Sequence, residues 1–441
     1  YEFGKLAIKI NEKFNDLKLK CRITFMYSAF ILPWNEHWKE LYPNFKNAIE
    51  TGYQTGDLYY MAYSYSHLIQ RVPHMNINEI IEKIEAYIPI IEYAKRQVVV
   101  DHAKMLYQVY KNYIGKTKDR LSLDDDSFNT KELYDNLDNT VAKTGYHVVL
   151  LKFYYFYHEY NKANEHMQQA YKTIDSLVSL PMTADYYLYA TLTTCALMKN
   201  DKIKLNKNIK KELKNNIKMM KRWAKHCPLN YKHSLLFMLA EYESISGSFV
   251  NTIDLYDKAI SSAKKNGFIE FQALINERLS IYYLSKRKKK ISSMYMTEAS
   301  KAYLQWGATE KNNFLKENFS ALFLKENKTT TSLDFNSITK ASQAISKTIN
   351  YKDLLKSLIK ILIENTGAKK AILITRKNNK LYIEAENAHK TDTVNLYDNY
   401  MLDKSTIVSE KVVNYVNRTL KTVVLDDALE DDDYANDKYI I

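Results

Sequence analysis

Residues 250–268, VNTIDLYDKAISSAKKNGF, and residues 290–308, KISSMYMTEASKAYLQWGA, align without a gap when Val250 is set over Lys290. Ala259 then falls over Ala299, and Asn266-Gly267-Phe268 over Trp306-Gly307-Ala308. A small residue in mid-helix lets two helices approach, and a glycine past the last turn can take the left-handed conformation that ends a helix. Each unit therefore reads as a helix pair, 232–246 with 250–265 and 269–285 with 291–305, with Gly247 at the turn inside the first. A two-helix unit recurring at about 40 residues falls in the range that marks an α-solenoid. Ala259 stands where tetratricopeptide-like repeats keep a small residue, although their period is about 34 residues.

Working outward, the whole chain is poor in turn formers. Its 441 residues include 9 Gly and 6 Pro. A sandwich or barrel of short strands needs turn residues about every 8–12 positions, so most of the chain is not one. Dinucleotide and P-loop folds need spaced glycines that are missing. Upstream of the repeat, helices read over Tyr59–Gln70, Ile77–Val98, Tyr146–Tyr160, Asn164–Leu180 (stopped by Pro181) and Tyr186–Met198. The segment Lys116–Asn136, with Asp124-Asp125-Asp126, reads as an insertion. No apolar run is long enough for a transmembrane span. The start of the chain lacks a signal-peptide pattern, because Glu2, Lys5, Lys9, Glu12 and Lys13 interrupt any apolar core. Cys21, Cys195 and Cys227 are too few and scattered for a disulfide frame or zinc site, so a reducing, cytoplasmic setting is the default. The chain starts at Tyr1 and ends Lys438-Tyr439-Ile440-Ile441, and we read it as a piece of something longer.

Net charge is +13, from 64 Lys+Arg against 51 Asp+Glu. The basic stretches are Lys202–Lys225 and Lys286–Lys290, and an acidic block runs from Asp426 to Asp433. Lys, Asn, Ile and Tyr are inflated together, which points to base composition rather than to a selected basic surface. The lysines of 202–225 are read as falling on all sides of a helix, and hence as a solvated face rather than a nucleic-acid or acidic-membrane patch.

Residues 311–335 read as a polar junction. Beyond it lie two helices, from Asn336 or Ser337 to Ile345 and from Tyr351 to Asn365, the latter ended by Gly367. Strands at Ala371–Thr375 and Leu381–Ala385 follow, joined by a turn at Lys377–Lys380. A helix from Ser405 or Ser409 to Thr419 and a strand Thr422–Leu425 complete the pattern. Two entry helices, a hairpin, a helix and a strand make the first half of an α+β domain.

These residues resemble a known family. SITKASQAISKTINYKDLLKSLIKILIENTGAKKAILI (337–374) followed by NNKLYIEAE (378–386) resembles the start of a GAF domain, as found in large hybrid signalling proteins, mainly bacterial. Those proteins run serine/threonine protein kinase, AAA-type ATPase, helical repeats, GAF domain and sensor histidine kinase. EASKAYLQWGATEK (298–311) looks like the last repeat before the GAF part. ILPWNEHW (31–38) and AIETGYQTGDLYYMAYSYS (48–66) look like early repeats, and IVSEKVVNYVNRTLKTVVLDDA (407–428) with YANDKYI (434–440) continues the GAF pattern. The resemblance implies a mostly α chain: an α-solenoid of tetratricopeptide-like repeats over 1–330, then the N-terminal part of a GAF-like sensor domain over 331–441. It implies a non-catalytic regulatory segment in a phosphorelay. The helical repeats would serve protein interaction or signal relay, and the GAF-like part small-molecule sensing or homodimerisation. Flanking kinase and ATPase domains would be its partners, and ATP and Mg would bind only there. A parent acting as an ATP-binding histidine or serine/threonine kinase is one alternative, and a basic nucleic-acid-binding helical protein another.

No site emerges within the chain. A Walker loop and the protein-kinase motifs are missing. Ser66-His67-Leu68-Ile69-Gln70-Arg71-Val72-Pro73 resembles a histidine-kinase phosphoacceptor box, but Leu68 stands where an acid is needed. His158-Glu159 with His166 lacks zincin spacing. His226 and Cys227 are neighbours that point apart, with no third group. No cysteine follows Cys227, which excludes bilin attachment in the GAF-like part, and His389 reads as a loop residue rather than a haem ligand. The expectation is no catalytic residue, no metal site and no nucleic-acid partner.

Overall fold

A computed structural model describes residues 1–70, 75–200, 202–323, 368–377, 380–388 and 394–419, with scattered positions between 352 and 363 and between 422 and 440. The chain is mostly helical and carries a small antiparallel sheet near its C-terminal end. It divides into two compact units, Tyr1–Leu324 and Lys325–Ile441.

The first unit begins with α1 (Glu2–Phe14), α2 (Leu17–Phe30), α3 (Leu41–Thr55), α4 (Leu58–Gln70), α5 (Ile77–Tyr93) and α6 (Gln97–Tyr113). It continues with α7 (Thr130–Asn136), α8 (Thr140–Phe156), α9 (Tyr160–Tyr171), α10 (Met182–Lys199) and α11 (Lys207–His226). The last five are α12 (Pro228–Ser246), α13 (Phe249–Lys265), α14 (Ile269–Ser285), α15 (Lys289–Trp306) and α16 (Thr309–Asn318).

The repeat alignment is realised in α12–α15. Thr252, Tyr256, Ala259 and Ala263 are buried on α13, and their counterparts Ser292, Met296, Ala299 and Tyr303 are buried on α15. Ala259 and Ala299 are fully buried. Gly267 (φ 72°) and Gly307 (φ 98°) are both left-handed at the helix ends, as expected. Gly247 differs: it is extended, with φ −92°, and its constraint is steric, because a Cβ there would collide with the Glu243 carboxyl group.

Other boundaries depart from expectation for local reasons. The helix expected over Ile77–Val98 stops at Tyr93, where Lys95 turns left-handed (φ 53°), and α6 starts at Gln97. The helix expected to reach Leu180 ends at Tyr171 and gives way to a 3-10 turn at Ile174–Leu177. Lys311 to Phe323, expected in a polar junction, belongs to the first unit: Lys311, Asn312, Phe314 and Leu315 are buried.

The first unit also joins distant parts of its sequence. Asn230 at the start of α12 donates to the carbonyls of Pro33 (2.8 Å) and Glu36 (2.7 Å) and accepts from Trp38 N (3.0 Å). Trp34 stacks on Tyr231 with ring centroids 5.4 Å apart. Asn76 Nδ2 donates to the Gln305 carbonyl at the end of α15 (3.0 Å). Arg120 bridges Glu310 (2.7 Å) and Glu317 (2.6 Å) on α16. An open stack in which each pair touches only its neighbours has no contacts of this kind.

The second unit is described by itself. Strands β1 (Lys370–Lys377), β2 (Lys380–Ala388) and β3 (Asn395–Met401) form an antiparallel meander in the order β1-β2-β3. Leu355 and Ile359, both helical, are buried with Ala385 against this sheet. Helix α17 (Glu410–Thr419) follows, and Ser409 Oγ accepts from Val412 N at its start (3.2 Å). β3 was not anticipated. Its Asp and Asn residues are poor strand formers, and pairing with β2 overrides that preference. Thr422, Val423 and Leu425 are not in a strand, contrary to expectation; Val424 lies outside the described residues. The expected helix 336–345, most of the Tyr351–Asn365 helix, Asn378-Asn379, His389 and much of the acidic block also lie outside them.

Gly307 and Gly56 test the left-handed ends. A Cβ on Gly307 would lie 2.9 Å from Asn76 Oδ1, whereas nothing lies within 4 Å of one on Gly56 (φ 71°). Gly307→Ala is expected to cost about 2–3 kcal/mol and Gly56→Ala about 1 kcal/mol in urea unfolding, because only the first adds a clash to the backbone strain. Equal losses would show that the Asn76 contact contributes nothing.

Candidate functional site

Three features of the helical unit combine chemistry with geometry: a buried charge centre, an apolar groove and a basic helix face.

The charge centre is built on α14, which is buried on nearly every side. Its adjacent residues Glu277 and Arg278 are both buried, and each anchors a network. Glu277 Oε1 accepts from Lys311 Nζ (2.9 Å) and His158 Nε2 (2.6 Å), and its Oε2 accepts from Tyr303 OH (2.6 Å). Lys311 also donates to the Phe156 carbonyl and sits 4.6 Å from the Phe314 ring centroid. Arg278 Nε donates to Glu241 Oε1 (3.0 Å), which also accepts from Tyr256 OH (2.7 Å). Lys199 Nζ donates to Glu241 Oε2 (2.7 Å), and Arg278 Nη1 donates to Tyr160 OH (2.6 Å).

Burial alone raises both carboxyls. Lys311 with the His158 and Tyr303 hydrogen bonds outweighs this at Glu277, as Arg278 and Lys199 do at Glu241, and each is held down to about 2. Burial, reinforced by Lys311, lowers His158 to about 4, so the imidazole is neutral at pH 7 and donates from Nε2. The carboxylates are fully enclosed and their partners are protein groups. The chemistry is that of a structural lock joining α8–α9, α10, α12, α13, α14, α15 and α16.

The groove lies between α2, α4, α6, α8 and the 176–182 segment, with a volume of about 490 Å³. Phe25, Phe30, Tyr60, Tyr63, Met105, Tyr146 and Leu177 give it apolar walls. Its polar groups are Ser66, His67, Gln70, Asp101, His102, Asn139 and Ser176. Ser66 Oγ and His102 Nδ1 are hydrogen-bonded at 2.7 Å, and Gln97 Nε2 donates to Asp101 Oδ1 (2.7 Å). Burial raises the Asp101 carboxyl. Met26, Tyr59, Val141 and Val178 are exposed around it. Pockets of about 300–1,000 Å³ with apolar walls and a few convergent polar groups are the usual form of a small-ligand site.

The basic face corrects the charge reading. On α11, Leu213, Asn216, Met220 and Ala224 are buried. Lys207, Lys210, Lys211, Lys214, Lys218, Lys221, Arg222 and Lys225 are all exposed. At about 3.6 residues per turn these eight fall within one arc of about 120°, not on all sides. Like charges recur at i,i+4 in 207/211, 210/214, 214/218, 218/222 and 221/225, and each such pair destabilises a helix. No acid stands in the first turn to offset the positive end of the dipole.

The other residues weighed from sequence are placed as follows. His166 meets His147, not His158, with the Nδ1 atoms 2.9 Å apart. Burial lowers both rings, His166 to about 4. His226 is exposed, while Cys227 is buried and donates to the Glu36 carbonyl (3.5 Å). Cys21 and Cys195 are free and buried, and burial pushes each thiol up to about 12. His67 lies in the groove wall, while Arg71–Pro73 of the same motif lie outside the described residues. Among the described residues no group of three or more His, Cys, Asp or Glu could hold a metal ion. Sequence reasoning missed the charge centre. Its signal was there: Glu277-Arg278 interrupts ALINERLSIYYL (273–284), a run apolar on every helical face. Compared with known proteins, the chain matches no protein-family model and no curated protein sequence.

Lys311→Met leaves Glu277 without its cation and is expected to lose about 3–5 kcal/mol in urea unfolding, with partial recovery when Glu277→Gln is added. A loss below about 1 kcal/mol would remove the charge centre from its structural role. A second expectation concerns pH. His233 is fully buried against Phe268 and Phe271. Neither ring nitrogen has a hydrogen-bond partner among the described residues, and burial lowers the ring to about 3. The unfolded ring titrates at about 6.5, so below that pH the unfolded state binds the extra proton. Stability therefore falls as pH drops from about 6.5 toward about 4, and His158 and His166 act in the same direction. His233→Phe should flatten that fall in melting curves from pH 7 to pH 4 and raise stability at pH 7; an unchanged slope would count against it.

Proposed function

We propose that the chain is a non-catalytic regulatory and sensory segment of a multidomain signalling protein. The first unit is a binding scaffold of tetratricopeptide-like helical repeats, clearest in α12–α15, and the second is the N-terminal part of a GAF-like domain. The observation that carries the reading is the groove: about 490 Å³, aromatic-walled, and built from five separate segments of the helical unit. Filling such a groove changes the packing between helices that are distant in sequence, and a ligand preferring one arrangement shifts the population toward it. Support for the second unit comes from its meander sheet with helical residues packed against it, most of which lies within residues 337–386 that resemble a GAF domain. The proposal places ATP, Mg and phosphoryl transfer in flanking kinase and ATPase domains of the parent, in the cytoplasm, with homodimerisation through the GAF-like part.

Nile red, an uncharged apolar fluorophore, tests the groove. Titration should give saturable binding with a blue-shifted emission. Ala142→Trp, which places a large ring in the groove wall, should weaken binding at least about tenfold with little change in melting temperature. Binding unaltered by Ala142→Trp would place the ligand elsewhere and remove the observation on which the reading rests.

A further inference from the structure

We propose that the exposed face of α11 docks the protein on an anionic lipid bilayer. Seven lysines and one arginine, Lys207 to Lys225, form an uninterrupted row about 27 Å long on one face of a 20-residue helix. Among the described residues none of the eight is in a salt bridge. Lys202 and Lys204 extend the charge ahead of the helix. So dense a row opposes helix formation by self-repulsion and ends up facing solvent, where only an external polyanion can complement it.

Three observations favour a bilayer over a nucleic acid. The row is nearly all lysine, a compact, hydrated point charge suited to a diffuse field, whereas arginine forks suit base edges. Within the arc no aromatic side chain stands to stack on a base, and no neutral donor or acceptor to fix register. The apolar back of the helix is already committed to the protein: Met220 and Ala224 are in the core, and Trp223 packs 5.2 Å from Trp34 and 5.7 Å from Tyr187. The helix thus offers a row of cations along its length, with no apolar face left to insert. No helix among the described residues is long and apolar enough to cross a membrane, so this contact is peripheral. Clusters of about 4–8 Lys/Arg on one amphipathic helix bind acidic headgroups, each cation near the surface adding to the attraction.

The test is co-sedimentation of the full chain with vesicles of phosphatidylcholine and phosphatidylserine mixed two to one, against pure phosphatidylcholine, at low and at high salt (about 0.1 M and about 0.5 M). Binding is expected only to the anionic vesicles and should fall at least about tenfold at the higher salt. The quadruple variant Lys210→Glu, Lys214→Glu, Lys218→Glu, Lys221→Glu should lose at least about tenfold in partitioning while keeping the parent circular dichroism. A charge-matched control, Lys9→Glu, Lys13→Glu, Lys18→Glu, Lys131→Glu, changes exposed lysines elsewhere and should retain most of the binding. Equal loss in the control, binding to neutral vesicles, or tighter binding to a short DNA duplex than to anionic vesicles would each overturn the proposal.

Discussion

The Glu277–Arg278 step on α14 is the constraint on which the helical unit depends. Two adjacent residues of opposite charge are buried where water cannot solvate them, so each must find its counter-charge within the protein. Glu277 reaches Lys311 on α16 and His158 after α8, while Arg278 reaches Glu241 on α12 and Tyr160 on α9. One helical turn thereby specifies the neighbours on both sides. An apolar core tolerates sliding by a residue or two, whereas a buried ion pair does not, because a slip leaves a charge unpaired.

That constraint sets the surroundings of the other features. Lys199, the last residue of α10, is tied to Glu241, and Cys195, Met198 and Leu213 form a small core between α10 and α11. With its back seated there and on α12, α11 can present only its cationic face. Contacts between residues 33–38 and Asn230 bring the start of the chain against α12. The groove is lined by α2, α4, α6, α8 and the 176–182 segment. Its walls thus come from helices that are not sequence neighbours, which distinguishes it from the gap between two members of a repeat.

Much of the fold was legible because it is governed by local rules. The pairs α12–α13 and α14–α15 were readable from small residues and glycines at a fixed offset, since helix ends and close approaches restrict residue type where they occur. The β1–β2 hairpin was readable from alternation. What was not legible depends on partners distant in sequence. The break at Lys95, the early end of α9 and the pairing of β3 are decided by packing against other elements. The charge centre left one trace, a charged pair inside an apolar helix, but nothing in sequence says that Glu277 meets Lys311 rather than Lys301. The arc of cations on α11 is fully present in the spacing of 207, 210, 211, 214, 218, 221, 222 and 225, which a 3.6-residue turn gathers on one face rather than around the helix.

The sequence alone determined that the chain is mostly helical, that its best-ordered part is a helix pair recurring with Ala299 in the place of Ala259, and that a small sheet follows near its C-terminal end. These are consequences of periodicity, capping and turn chemistry, which act over a few residues. Tertiary structure alone decided which buried charges pair and where the groove lies. Each of those is an outcome of desolvation, and whether water is excluded from a side chain depends on residues far away in the sequence.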